Sequence, residues 1–272
     1  MTRLESDYYA YMEYDPEHSK SGLAHYVPLF ERGPVLELAC GRGEFLELLR
    51  DAGVDGEGID LDEGMVQAAT GAGLTVELAD ALTGLQRRAD DSVQGVFSAH
   101  FVEHLQPDEL EVVITESARV LAPGGVLVAA TPNAACLSVA GYDFWKDPTH
   151  VRFYDPRLLA FYCAKAGLEV VETGENPRNH AGPPPGAMAR GTHVDPDLRP
   201  DMVAAIQRIT WDPKKEASDP DSPWHAFGHF LGVLEERLRT TQQELADLHQ
   251  SYAQLLERLY PPNEVYVVAR AV

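Results

Sequence analysis

Cysteine is scarce in this chain. Cys40, Cys136 and Cys163 are the only three in 272 residues, with no CxxC pair among them. That count excludes a disulfide framework and predicts a reducing, cytoplasmic setting. Long apolar runs are also missing, since nothing approaches the roughly 18 residues a membrane span requires. The opening stretch MTRLESDYYAYMEYDPEH is polar and acidic, without the apolar centre of a signal peptide, so no membrane partner is expected. Positive charge is in deficit: 22 Lys and Arg stand against 43 Asp and Glu, for a net charge of −21. A phosphate backbone would be repelled by that field, and the only basic pairs, Arg87–Arg88 and Lys214–Lys215, are isolated. Nucleic acid is therefore excluded as a partner. Hydrophobic residues make up 44% of the chain, which suffices for one large α/β domain with an appendage or for two small domains.

What is present alternates. GPVLELACGRGEFLELLRDAG reads as a buried strand (35–39), a glycine turn and a helix ending near Gly53. EGIDLDEGMVQAATGAG gives a second strand to Asp60 and a helix to about Gly71. TVELADAL is a third strand, and SVQGVFSAHFVEHLQPDEL a fourth that runs into a helix. GGVLVAATPN, LEVVETGE and the closing NEVYVVARAV complete seven, with a helix around Pro156–Gly167 before the sixth. Strands alternating with helices predict a largely parallel α/β sheet covered on both faces. Residues 1–33 read as a helical preamble dense in tyrosine.

Between the sixth strand and the last lie residues the sheet does not need. They open with a proline-rich loop and close with a helix near 228–259. Leu231, Leu238, Leu245, Tyr252 and Leu259 recur there every seven residues, and Leu234, Thr241, Leu248 and Leu255 fill the second seam position. The predicted organisation is a core over 1–175, an insertion over 176–260 and a final core strand over 261–272. The seam must be buried on a neighbouring helix of its own insertion or on the same helix of a second subunit, and the regularity of the heptad predicts a homodimer.

ELACGRG joins a strand to a helix, and Gly41 and Gly43 allow a ligand close approach to the backbone. Asp60, at the end of the next strand, is placed where an acid can take both hydroxyls of a ribose. A dinucleotide fingerprint would require glycine at position 46, which is Leu, and Glu37 beside the loop would repel a pyrophosphate. Glu37 suits a cation instead.

GPVLELACGRG, GIDLDEGM, LADAL and LAPGG together resemble, in order and spacing, the successive motifs of class I S-adenosylmethionine (SAM) methyltransferases. The resemblance covers roughly residues 30–175 plus the final strand, with Ala39 where the family often has glycine. It implies a Rossmann-like, doubly wound seven-stranded sheet of order 3-2-1-4-5-7-6 with strand 7 antiparallel. It also implies that Glu37, Ala39, Gly41 and Gly43 line the methionine portion of SAM and that Asp60 holds the ribose. Leu61 would then flank the adenine, Asp80 bond its amine, Ala81 cap the ring and His100 lie beside the cofactor.

HFVEHL (100–105) follows strand 4, and its spacing places His100, Glu103 and His104 on one helix face. His150, in the loop DFWKDPTHVRFYDP, follows strand 5. Both segments should face the crevice beyond the strands' carboxyl ends, where an acceptor would lie. Trp145 and Tyr154 of that loop, with Tyr9 of the preamble, are expected to contact the acceptor. A hydroxyl acceptor needs either a base, for which His150 with His104 as partner is suited, or a divalent cation, for which Glu103, His104 and His150 are candidate ligands. A small-RNA ribose methyltransferase family has a similar Glu/Glu/His/His set, with Glu where this chain has His100.

AHFVEHL and TPNAACLSVAGYDFWKDPTHVRFYDPRLL resemble the corresponding segments of polysaccharide-modifying and chain-terminating sugar O-methyltransferases. Cys136 stands where asparagine is usual there, and RFYDP replaces an RPxxP-like run. Length, acidity and the long insertion are similar to actinobacterial enzymes that cap methylmannose polysaccharide precursors. The resemblance implies a sugar or oligosaccharide acceptor in polysaccharide biosynthesis. The alternatives are a small-molecule N- or carboxyl-methyltransferase and a non-catalytic SAM-binding scaffold.

Overall fold

In a computed structural model of the chain, residues 7, 8, 11–180, 182 and 223–272 are described. Tyr9 and most of the proline-rich loop lie outside them. Seven strands form one sheet of order β3-β2-β1-β4-β5-β7-β6, as the resemblance implies. They are β1 (Val35–Leu38), β2 (Gly56–Asp60), β3 (Val76–Leu78), β4 (Val93–Ala99), β5 (Leu121–Pro132), β6 (Glu169–Glu175) and β7 (Glu264–Arg270). Neighbours from β3 through to β5 pair in parallel, whereas β7 runs antiparallel to both β5 and β6. The antiparallel sense has a consequence for the site. It brings the first residue of β7, Glu264, opposite Pro132 at the last position of β5.

Helices cover both faces: α1 (Pro16–Leu23), α2 (Glu44–Asp51), α3 (Glu63–Gly71), α4 (Ala81–Gln86), α5 (Pro107–Val120), α6 (Leu137–Gly141) and α7 (Pro156–Lys165). Their starts follow local rules. Asp62 caps α3 by accepting from the backbone N–H groups of Gly64 and Met65, and Asp80 caps α4 by accepting from Thr83. Pro107 and Pro156 occupy first-turn positions, where a missing N–H costs nothing.

Strand periodicity divides the core in two. Leu36, Val96, Leu127 and Val267 pack with Leu110 and Ile114 of α5 on one face. Val35, Phe97, Val128 and Tyr266 pack with Tyr26 and Phe45 on the other, where the Phe45 and Phe97 rings lie 3.8 Å apart. Each large side chain so buried contributes about 1.5–3 kcal/mol. Glu37 falls between Leu36 and Leu38, so the two-residue period turns it toward the face of Val35 and Phe45.

The chain divides into two compact units, one comprising 1–182 with 259–272 and the other 183–258. Residues 176–180, assigned above to the insertion, belong to the first. The second unit contains most of α8 (Pro223–Leu259), a helix of 37 residues, or about 55 Å at 1.5 Å per residue. Among the described residues, no helix is long and apolar enough to cross a membrane.

Candidate active site

The carboxyl ends of β1 and β4 open onto a cavity of about 490 Å³. Its floor is the turn after β1. Ala39 (φ 53°), Gly41 (φ 54°) and Gly43 (φ 85°) all adopt left-handed conformations, so the chain reverses sharply before α2. A Cβ added to Gly41 would meet nothing within 4 Å, while one on Gly43 would lie 2.3 Å from Leu74 Cδ1. The first glycine thus leaves space for a ligand and the second admits a neighbouring side chain. Asp60 fixes the loop: its Oδ2 accepts from Gly41 N at 2.8 Å and its Oδ1 from Asp62 N at 2.8 Å. Burial raises the Asp60 pKa, and those backbone donors oppose the rise.

Glu37 lines the same cavity, is 5% exposed, and its Oε2 has no hydrogen-bond partner among the described residues. Burial, then the nearby Glu44 and Asp60 carboxylates, push its pKa well above the usual range. A buried carboxylate with an unused acceptor is a strong site for a cationic ligand group. Leu61, 55% exposed, follows β2, and Asp80 caps α4, which Ala81 begins; these three, like Asp60, lie outside the cavity lining. The Thr83 hydrogen bonds hold the Asp80 pKa low.

HFVEHL does not form the α-helical face its spacing predicts. His100 takes a left-handed φ of 54°, residues Val102–His104 make a single 3-10 turn, and α5 begins only at Pro107. His100 is held between two carboxylates. Its Nε2 lies 2.7 Å from Glu264 Oε2 and its Nδ1 3.5 Å from Glu103 Oε1. Desolvation favours the neutral ring, but the pull of the Glu103 and Glu264 carboxylates outweighs it and raises the His100 pKa well above that of an ordinary imidazole. Burial also penalises the Glu264 carboxylate, and His100, Tyr26 and Asn176 outweigh that penalty and lower its pKa. Tyr26 Oη and Asn176 Nδ2 both donate to Glu264 Oε1. Sequence reasoning missed Glu264, although an acid entering the apolar run of NEVYVVARAV was a readable signal.

His104 and His150 do come together, with ring centroids 4.8 Å apart. The DPTH loop is docked by backbone: the Glu103 carbonyl accepts from Val151 N at 2.8 Å. The hydrogen bonds then fix both tautomers. His150 Nδ1 faces the Phe144 carbonyl at 2.6 Å, which can only accept, so Nδ1 is the donor. Thr149 Oγ1 gives its proton to Asp147 Oδ1, so at 2.9 Å it accepts from His104 Nδ1. In the neutral rings both Nε2 atoms therefore carry the lone pair, and that of His150 lies 3.9 Å from Glu103 Oε1 and 4.0 Å from Asp147 Oδ2. Glu103 is fully buried, with Oε2 accepting from Thr131, while Oε1 lies 3.5 Å from His100 Nδ1 and 3.9 Å from His150 Nε2 without a well-formed hydrogen bond. One donor atom from each of Glu103, His104 and His150 lies within 4.8 Å of the others.

Two expected acceptor contacts differ from each other. Trp145 is 65% exposed, its ring pinned by an Nε1–H donated to the Ala140 carbonyl. Tyr154 is 1% exposed and donates its hydroxyl to the Leu105 carbonyl. It belongs to the core beneath the loop and offers an acceptor no surface; the correction follows from its packing against the α5 face.

A seven-stranded sheet of this order with such a turn after β1 defines the class I methyltransferase architecture. The chain belongs to the methyltransferase domain family, whose sequence pattern matches residues 8–173. SAM is its cofactor, and the orphaned Glu37 oxygen and the open space at Gly41 fit a ligand with a cationic end. The chain is 33% identical over 139 residues to a probable S-adenosylmethionine-dependent methyltransferase of Mycolicibacterium smegmatis. That alignment covers 51% of this chain and 53% of the relative, so the chain spans about half the length of the curated relative it matches. Among solved structures, a SAM-dependent methyltransferase from Archaeoglobus fulgidus aligns over 98% of this chain and 99% of its own, with a TM-score of 0.64 and 23% identity. Phosphoethanolamine N-methyltransferase 2 of Haemonchus contortus, in complex with SAM, aligns over 93% and 52%, with a TM-score of 0.52 and 16% identity. At those identities the structural likeness establishes the fold alone.

Proposed function

We propose that this methyltransferase transfers the SAM methyl group to a hydroxyl of a sugar or oligosaccharide, in polysaccharide biosynthesis. The observation that carries the reading is the pair of histidines whose Nδ1 atoms are both engaged, leaving two Nε2 lone pairs in one cavity with the glycine loop. An amine acceptor needs little beyond alignment, whereas a hydroxyl is a poor nucleophile at neutral pH and needs its proton removed. SAM supplies an electrophilic methyl on a good leaving group. Glu37, Ala39 and Gly41 cradle its amino-acid end, with Gly43 shaping the turn beneath it, Asp60 taking the ribose and Leu61, Asp80 and Ala81 the adenine. His150 Nε2 takes the acceptor proton, and the Phe144 carbonyl holds the ring in the tautomer that can do so. His104 is its partner. Trp145, outside the cavity lining but held by the Ala140 carbonyl, offers the sugar an exposed aromatic face.

A second reading of the same cluster is favoured by Glu103, which with His104 and His150 makes a Glu/His/His set of the kind that holds a divalent cation. Such a cation would lower the pKa of a bound hydroxyl. His100 is not part of that set, because both its nitrogens face carboxylates. Chelation separates the two readings: EDTA leaves a histidine base active and silences a cation-dependent enzyme. We further propose that α8 pairs with its copy in a second subunit to form a homodimer.

A further inference from the structure

The cavity is acidic, and that poses a problem for one part of its ligand. Glu37, Glu44, Asp143, Asp147 and Glu264 all line it, within a chain of net charge −21. The amino-acid end of SAM carries a carboxylate as well as an ammonium, and a carboxylate among those acids is repelled unless a cation receives it. Three arginine or lysine residues line the cavity: Arg42, Lys146 and Arg178. Arg42 is committed to Glu44 at 2.7 Å, and Lys146 to Asp143 at 2.6 Å. Arg178 has no ion-pair partner among the described residues.

The backbone beneath Arg178 is held firmly. Its N–H donates to Asn176 Oδ1 at 3.0 Å, and Asn176 is fully buried, donating to Glu264 at 2.7 Å and to the Gly22 carbonyl at 3.1 Å. One residue further on, the Asn179 carbonyl accepts from Asn263 N at 2.7 Å. A short loop tied to β7 and α1 therefore fixes the backbone that brings one uncommitted arginine to the cavity wall. The planar donor fork of arginine matches a carboxylate in two parallel hydrogen bonds.

We propose that Arg178 is the carboxylate-recognition residue of this cavity and that the amino-acid end of the cofactor supplies the carboxylate. Glu37 and Arg178 then form complementary halves of one zwitterion site, the buried acid facing the cationic portion and the arginine the anionic one.

Ligand truncation tests this without any acceptor. S-adenosylhomocysteine carries the amino-acid tail, and 5′-methylthioadenosine lacks it. Calorimetry on the full chain should show Arg178→Gln weakening S-adenosylhomocysteine about ten- to a hundredfold, the size of a charged hydrogen-bonded contact. The same variant should change 5′-methylthioadenosine affinity by less than about twofold, and Arg178→Lys should recover part of the loss. Unchanged S-adenosylhomocysteine affinity overturns the proposal, as does an equal loss for both ligands. A third result reassigns the carboxylate to the acceptor and so overturns the cofactor source. There the cofactor binds normally, but a wild-type preference for a methyl glycoside bearing a free uronic carboxylate over its neutral hexoside is lost in Arg178→Gln. Because binding alone is read in the first two arms, failure of the sugar reading leaves this test intact.

Discussion

At the scale of single residues, burial sets what the site can do. Glu37 has its pKa raised by burial, then by Glu44 and Asp60, so the free protein holds its proton above the usual carboxylate range. For a carboxyl whose folded pKa is raised, the stability contribution is full below the unfolded value near 4.5 and declines as pH rises toward the folded value. A cationic ligand favours the ionised form. SAM binding should therefore release a proton and tighten as pH rises through that window. Calorimetry in two buffers of different ionisation enthalpy should give different apparent enthalpies, and Glu37→Gln should abolish the difference; identical enthalpies for the wild type contradict this. His150 makes the complementary case. Its replacement by Ala should reduce methyl transfer by 10²–10⁴-fold, the span of general-base catalysis, while SAM affinity stays within about twofold. A near-normal rate would give His150 a purely structural role, bracing the loop through the Phe144 carbonyl.

At the scale of elements, the two glycines after β1 have separable jobs. Alanine at Gly43 must adopt φ 85° and displace Leu74, which costs about 1–3 kcal/mol and should lower the urea midpoint. Alanine at Gly41 meets no neighbour, so the strain of its φ alone costs about 1–2 kcal/mol. Its larger effect should be on SAM affinity, because the new methyl stands where the ligand approaches. Equal affinity losses in the two variants would mean the loop acts only as a turn. The alternation of strands and helices was legible because sheet and helix periods differ, and β1, β2, β4 and α7 lie within a few residues of where the pattern places them. HFVEHL misled because i, i+3, i+4 spacing suits a helix, whereas the left-handed φ of His100 and Pro107 confine the segment to one 3-10 turn. The partnership of His100 with Glu264 was hidden, since it joins β4 to a strand far along the chain through sheet topology alone. Tyr154 misled for another reason: an aromatic residue in a polar loop reads equally as a ligand platform and as a core plug.

For the whole molecule, α8 presents the remaining claim. Leu234, Leu238, Leu248 and Leu255 of its heptad seam are 40%, 51%, 64% and 49% exposed. An apolar seam of that length calls for a partner helix, and closed two-fold pairing is the commonest solution for like chains. Sedimentation should show a dimer at micromolar concentration, and replacing Leu245 and Leu248 with Glu should yield a monomer that still binds SAM; a monomeric wild type removes the proposal. The central claim concerns chemistry, and one measurement addresses it most directly. The protein is incubated with methyl-labelled SAM and a panel of neutral and partly methylated mannosides, other sugars, amines and carboxylic acids, and the labelled product is located by NMR. The account predicts label on a sugar oxygen, lost in His150→Ala. Label on an amine or a carboxylate, with every sugar left unmodified, would contradict it.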